Sequence, residues 1–169
     1  MHSLTEQIRR GDHSAFELFY RMEFLNLVHF AGSYLKDEEK AKDIAQEALA
    51  ALWEHRRSLD EGKNIRAYVF TIARNKTLDE LRAQNAPELE YLEDNSVDEY
   101  ISRLELTRLI KNVWGNLPPK ISRTFALSRS EGLKNREIAQ REGISEKAVE
   151  YRMRIALEKF RKNIKKYLG

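Results

Sequence analysis

The chain has 169 residues, room for one ordinary domain or two small ones. Its composition, 34% charged and 41% apolar, has no apolar run near the ~18 residues of a membrane span and no secretory signal, which excludes membrane insertion and points to the cytoplasm. Absence of cysteine excludes disulfides and thiolate metal sites, while a net charge of only +3 says little about a nucleic-acid partner.

With 7 Gly and 3 Pro, few turns can be built, and the apolar spacing is helical almost throughout. The predicted fold is all-α. A short helix near residues 4–9 stops at Gly11. Asp12 or Ser14 can cap the second helix, and Ser14 with Glu17 fits a capping box. That helix reaches about Leu35, with Ala15, Phe16, Phe19, Leu27, Val28, Ala31 and Leu35 as its core face. Asp37 caps a third helix to about Arg57, and Asp60-Glu61-Gly62-Lys63-Asn64 reads as a loop. A fourth helix runs from Ile65 to about Gln84. Further helices are predicted near residues 97–115, from Pro118-Pro119 to near Gly132, and at 135–142 and 146–167.

The small net charge conceals unlike parts. Residues 1–85 carry 13 basic and 14 acidic side chains. Residues 86–102 carry six acidic side chains (Glu88, Glu90, Glu93, Asp94, Asp98, Glu99) and no basic one. Residues 118–169 carry 14 basic and 6 acidic side chains. This asymmetry divides the chain into a near-neutral domain at 1–85, an acidic linker at 86–102 and a basic domain at 103–169.

The stretch Asn135 to Arg154 has the pattern of a helix-turn-helix. Ala139 is small where the helices cross. Gly143 supplies the positive φ of the turn, Ile144 plugs the gap, Ser145 caps the second helix and Val149 faces the core. At 100° per residue, Val149, Met153, Ala156, Phe160 and Ile164 form an apolar stripe. Lys147, Tyr151 and Arg154 lie opposite, with Glu150 at the edge. Such residues reach base edges when a recognition helix enters the major groove. Arg152 and Arg161, with Lys162, Lys165 and Lys166, suit phosphates or solvent.

On the third helix, Asp43, Gln46, Glu47, Ala50 and Glu54 share one face, while Ile44, Ala48, Ala51 and Leu52 share the other. Physics alone makes this an amphipathic helix with a solvated acidic face. The chain nevertheless resembles the extracytoplasmic-function sigma factors, the smallest members of the sigma-70 family. The resemblance rests on Gly11-Asp12 with Ala15-Phe16; Ala41-Lys-Asp-Ile-Ala-Gln-Glu-Ala with Leu52-Trp53; Ile65-Arg-Ala-Tyr-Val-Phe-Thr-Ile-Ala-Arg-Asn75 with Asp79 and Leu81-Arg82; and Leu117-Pro118 through Phe160.

The resemblance implies a promoter-specific initiation factor without enzymatic activity, metal or cofactor. Residues 1–85 match region 2, where Asp43, Gln46 and Glu47 would dock on core RNA polymerase. The loop at residues 58–64, Asn64 included, with Asn75 would take a flipped base of the single-stranded −10 element, and Arg74 and Lys76 would hold its phosphates. Residues 103–169 match region 4, which reads the −35 duplex. The acidic stretch matches the linker that threads the polymerase channel, or is a mere spacer. An anti-sigma protein is implied as a further partner. Two departures stand out: Glu150, where relatives often carry a base, and Leu49, where they often carry a larger aromatic residue. A stand-alone helix-turn-helix regulator is the competing reading. The four histidines show no ligand spacing, and no nucleophile or phosphate-loop motif points to an enzyme.

Overall fold

The computed structural model describes residues 2–88, Leu92 and 96–168, the last two as backbone only. Among the described residues the regular structure is helical: α1 Leu4–Arg9, α2 His13–Leu35, α3 Glu38–Glu54, a 3-10 turn Arg56–Ser58, α4 Ile65–Ala83, α5 Ser96–Gly115, α6 Pro119–Arg129, α7 Asn135–Glu142 and α8 Glu146–Leu168. The chain divides into two compact units, Met1–Ser102 and Arg103–Gly169.

In the first unit, α2, α3 and α4 pack on one another. The reason lies in side-chain size. Ala41, Ala45 and Ala48 are fully buried along α3, so its backbone approaches its neighbours closely, and Leu49 and Leu52 fill the space beyond. Leu49, despite its modest bulk, is wholly enclosed. Phe30 of α2 and Phe70 of α4 meet edge to face at 5.6 Å. An ion pair is buried here. Glu23, fully enclosed, accepts from Arg66 Nε at 2.9 Å and Nη2 at 2.5 Å, and from Asn26 Nδ2 at 3.1 Å.

Helix ends follow their caps with one correction. Asp12 alone caps α2, its Oδ1 accepting from the amides of Ser14 at 2.9 Å and Ala15 at 3.1 Å. The Ser14–Glu17 box does not form, because Ser14 is itself inside the helix and Glu17 pairs with Arg21 at 2.6 Å. Phe16 is only half-buried and leans on Trp53 at 4.9 Å.

The acidic stretch also departs from the expected linker. Lys36 pairs with Glu88, and Leu92, Val97 and Ile101 are buried. Tyr100 packs between Phe30, edge to face at 5.1 Å, and Phe70, tilted at 5.6 Å, and its hydroxyl donates to the Asn26 carbonyl at 3.2 Å. The apolar residues interleaved with the carboxylates supply this anchorage, so 96–102 is helix on the first unit. Glu90, Glu93 and Asp94 lie outside the described residues.

The second unit closes over Val113, Leu117, Phe125, Leu127, Ile138, Val149, Met153 and Phe160. Phe125 stacks on Phe160 at 5.0 Å and meets Trp114 edge to face.

Candidate nucleic-acid and protein interfaces

α3 is split cleanly by exposure. Ala41, Ile44, Ala45, Ala48, Leu49 and Leu52 are buried, and Asp43, Gln46 and Glu47 are exposed, with Ala50 and Glu54 on the same face. Asp37 Oδ1 caps the helix by accepting from the Lys40 amide at 3.1 Å. Cations from both helices border the acidic face. Lys76 Nζ of α4 donates to Glu47 Oε2 at 2.7 Å, and Lys40 pairs across the same seam with Glu80. The Lys40 hydrogen bond, then that of Gln84, lowers the Glu80 carboxyl, and the same contact raises the Lys40 ammonium. A depression of about 450 Å³ lined by Asp43, Glu47, Lys76 and Asp79 runs along this seam.

A second cavity, about 420 Å³, lies at the start of α4. Leu59, Ile65 and Ala67 give it an apolar floor, and Asp60, Lys63, Asn64, Tyr68 and Thr71 add polar groups. Asn64 is fixed by capping α4: its Oδ1 accepts from the amides of Arg66 at 2.9 Å and Ala67 at 3.4 Å. α1 braces the loop, since Thr5 forms part of the wall and Arg9 Nη2 meets Glu61 Oε1 at 2.6 Å. Glu6 sits behind them with Arg9 Nε at 3.0 Å and Arg10 as a further partner. A hydrogen bond shared with Glu61, then those from Arg9 and Arg10, lowers the Glu6 carboxyl to about 2, and the same sharing raises Glu61.

The predicted single-strand residues are therefore not one cluster. Asn64 lines the cavity. Asn75 is exposed further along α4, its Oδ1 accepting from Arg74 Nη1 at 3.4 Å, and Arg74 is half-buried. Lys76 belongs to the acidic seam, turned there by Glu47. The sequence reading passed over Tyr68, 38% exposed at the cavity wall. An apolar aromatic at an outward position of a helix was the available signal.

In the second unit the turn takes the predicted form. Gly143 has φ 65°, the Ile144 amide donates to the Ala139 carbonyl at 3.0 Å, and Ser145 Oγ caps α8 by accepting from the Ala148 amide at 3.1 Å. Val149, Met153, Ala156 and Phe160 are buried, with Ile164 packed against them. Lys147, Glu150, Tyr151 and Arg154 are exposed on the far side. The Arg154 guanidinium lies 5.3 Å from the Tyr151 ring centroid and 3.1 Å from Glu158. Arg161 is exposed. Arg152, expected among the phosphate contacts, is only 18% exposed. Its guanidinium is turned inward to Glu142 Oε2 and Thr124 Oγ1, both at 3.1 Å.

Among the described residues no group of His, Asp and Glu side chains is placed to hold a metal ion, and no helix is long and apolar enough to cross a membrane.

Comparison with known proteins maps onto these two units. Sigma-70 region 2 matches residues 19–86, and Sigma-70, region 4 matches residues 108–160. The chain is 28% identical over 132 residues to the ECF RNA polymerase sigma factor RpoE of Cereibacter sphaeroides, covering 74% of this chain and 72% of that one. It is 24% identical over 172 residues to the ECF RNA polymerase sigma factor SigK of Mycobacterium ulcerans, covering 95% and 91%. Among solved structures it is similar to CnrH in complex with the cytosolic domain of CnrY, with 26% identity, a TM-score of 0.45 and coverage of 96% and 95%. The RsbN–BldN complex aligns with 17% identity, a TM-score of 0.43 and coverage of 95% and 99%.

Proposed function

Because the chain belongs to the extracytoplasmic-function group of the sigma-70 family and is a promoter-specific transcription initiation factor, we propose that its surfaces divide the work of initiation between them. Asp43, Gln46 and Glu47 dock on core RNA polymerase. The cavity at Asn64 takes a base extruded from the −10 element, and the strand continues past Tyr68 and Thr71 towards Asn75, with Arg74 alongside. Extrusion costs a few kcal/mol of stacking, which the cavity and an aromatic platform offset. In the second unit, α8 enters the major groove of the −35 duplex. Lys147, Glu150, Tyr151 and Arg154 face the bases, and Arg161 faces the phosphates. This reading gives the chain no reaction of its own, places it in the cytoplasm beside the polymerase, and leaves an anti-sigma protein as its expected regulator.

The observation that carries the reading is the exposed acidic face of α3 opposite a fully buried one, in a unit separate from the helix-turn-helix. The deciding experiment is transcription reconstituted with core polymerase and a promoter, using Asp43→Arg and Glu47→Arg variants. Loss of core binding and of the transcript in these variants supports the reading. Tight sequence-specific duplex binding without polymerase, unaffected by the reversals, favours the stand-alone regulator.

A further inference from the structure

The second unit buries a polar triangle beside its apolar core. Glu142 is the last residue of α7, immediately before the Gly143 turn, and its side chain is only 7% exposed. Its Oε2 accepts from Thr124 Oγ1 at 2.6 Å and from Arg152 Nη1 at 3.1 Å, while Oε1 faces Arg123 Nε at 3.3 Å. Thr124, fully buried on α6, also accepts from Arg152 Nη1 at 3.1 Å. Three helices thus meet at one carboxylate, and Arg152, 18% exposed, is the contribution of α8.

Such a pair contributes little net stability, because desolvation offsets the attraction of the charges. It contributes direction instead. The surrounding apolar contacts tolerate small rotations, whereas a guanidinium held by a carboxylate and a hydroxyl has a narrow set of geometries. Arg152 follows Tyr151 and precedes Arg154 by two residues, so whatever fixes Arg152 fixes the rotation of the base-facing side. With side-chain tips about 5–6 Å from the helix axis, a rotation of 20° moves them by about 2 Å. A hydrogen bond to a base edge is lost over that distance. A phosphate contact from a long flexible cation survives it.

We infer that Glu142 and Arg152 are positioning residues for −35 recognition: their buried ion pair sets the rotation of α8 that presents Tyr151 and Arg154 to the bases. The inference rests on the assignment of α8 as the duplex reader.

The test uses the full chain assembled with core polymerase and a duplex library randomised across the −35 region. The wild-type complex enriches a preferred −35 sequence. Glu142→Gln and Arg152→Met are expected to lower discrimination against a scrambled site about tenfold. The slope of log affinity against log salt, and binding to core polymerase, stay unchanged. Arg152→Lys keeps the charge without the planar fork and gives intermediate discrimination, and the double exchange Glu142→Arg with Arg152→Glu recovers part of the loss. Circular dichroism at the assay temperature identifies any variant that has failed to fold, in which case Arg152→Lys decides the matter. Unchanged discrimination in the folded variants overturns the inference. So does a salt slope lowered by about one in Arg152→Met, which makes Arg152 a phosphate contact. A wild-type complex with no −35 preference removes the α8 assignment itself, and the inference with it.

Discussion

The Lys76 ammonium lies 2.7 Å from the Glu47 carboxylate, so α4 supplies a counter-charge to the very face of α3 that is proposed to dock on polymerase. An incoming cation on the polymerase must displace Lys76 to reach Glu47. Lys76→Ala should therefore bind core polymerase a few-fold more tightly, in line with the ~0.2–1 kcal/mol of an exposed pair. Fluorescence anisotropy of labelled chain against core enzyme measures this. Unchanged core affinity combined with weaker promoter opening would return Lys76 to the single strand.

Tyr68, 38% exposed, lines the cavity. Base–aromatic stacking is worth about 1–3 kcal/mol. Tyr68→Ala should slow opening of a duplex promoter by about fivefold to a hundredfold and affect a pre-melted template much less. Tyr68→Phe should behave as wild type. Permanganate footprinting of the −10 region reports the melted bases directly.

Changes on the two sides of α8 should separate cleanly. Tyr151→Ala and Arg154→Ala should change the preferred −35 sequence at a cost of about 1–3 kcal/mol for the favoured site. Arg161→Ala should weaken binding to all sequences alike and reduce the salt slope by about one. Affinities of the polymerase complex measured over a salt series, on several −35 duplexes, distinguish the two patterns.

The acid limb of stability should report on the brace between α1 and the loop. Glu6 is lowered to about 2 by its hydrogen bond with Glu61 and those from Arg9 and Arg10. Its contribution is complete above the unfolded value of 4.5 and is lost as pH falls towards 2. Glu61 is raised, so its contribution is present below 4.5 and declines as pH rises through its folded value. Glu6→Gln should flatten the loss of stability between pH 4.5 and 2, and Glu61→Gln should leave that loss in place. Urea denaturation at a series of pH values between 2 and 6 provides the comparison.

Local signals carried the sequence reading a long way, and tertiary ones limited it. Gly143, Ile144 and Ser145 were legible because a turn and a cap are set by residues within one or two positions of each other. The buried stripe of α8 was legible because helical period alone separates Val149 and Met153 from Tyr151 and Arg154. Arg152 was not, since its partners stand 28 residues away at Thr124 and 10 residues away at Glu142. The Lys76–Glu47 pair was illegible for the same reason, as Glu47 lies 29 residues earlier on another helix. In the acidic stretch, six carboxylates drew attention away from Val97, Tyr100 and Ile101. The contacts of Tyr100 with Phe30 and Asn26 of α2 and with Phe70 of α4 have no sequence-local signature.

The hydrogen bond from Tyr100 to Asn26 sets a limit on reach. Leu92 is buried between Glu88, held by Lys36, and Ser96, where α5 begins. The stretch whose resemblance implies a passage through the polymerase channel is therefore held at its middle as well as at both ends. On that reading, insertion must first free Leu92 from its burial and Tyr100 from Asn26, so the depth of insertion and the integrity of the start of α5 are exchanged one for the other.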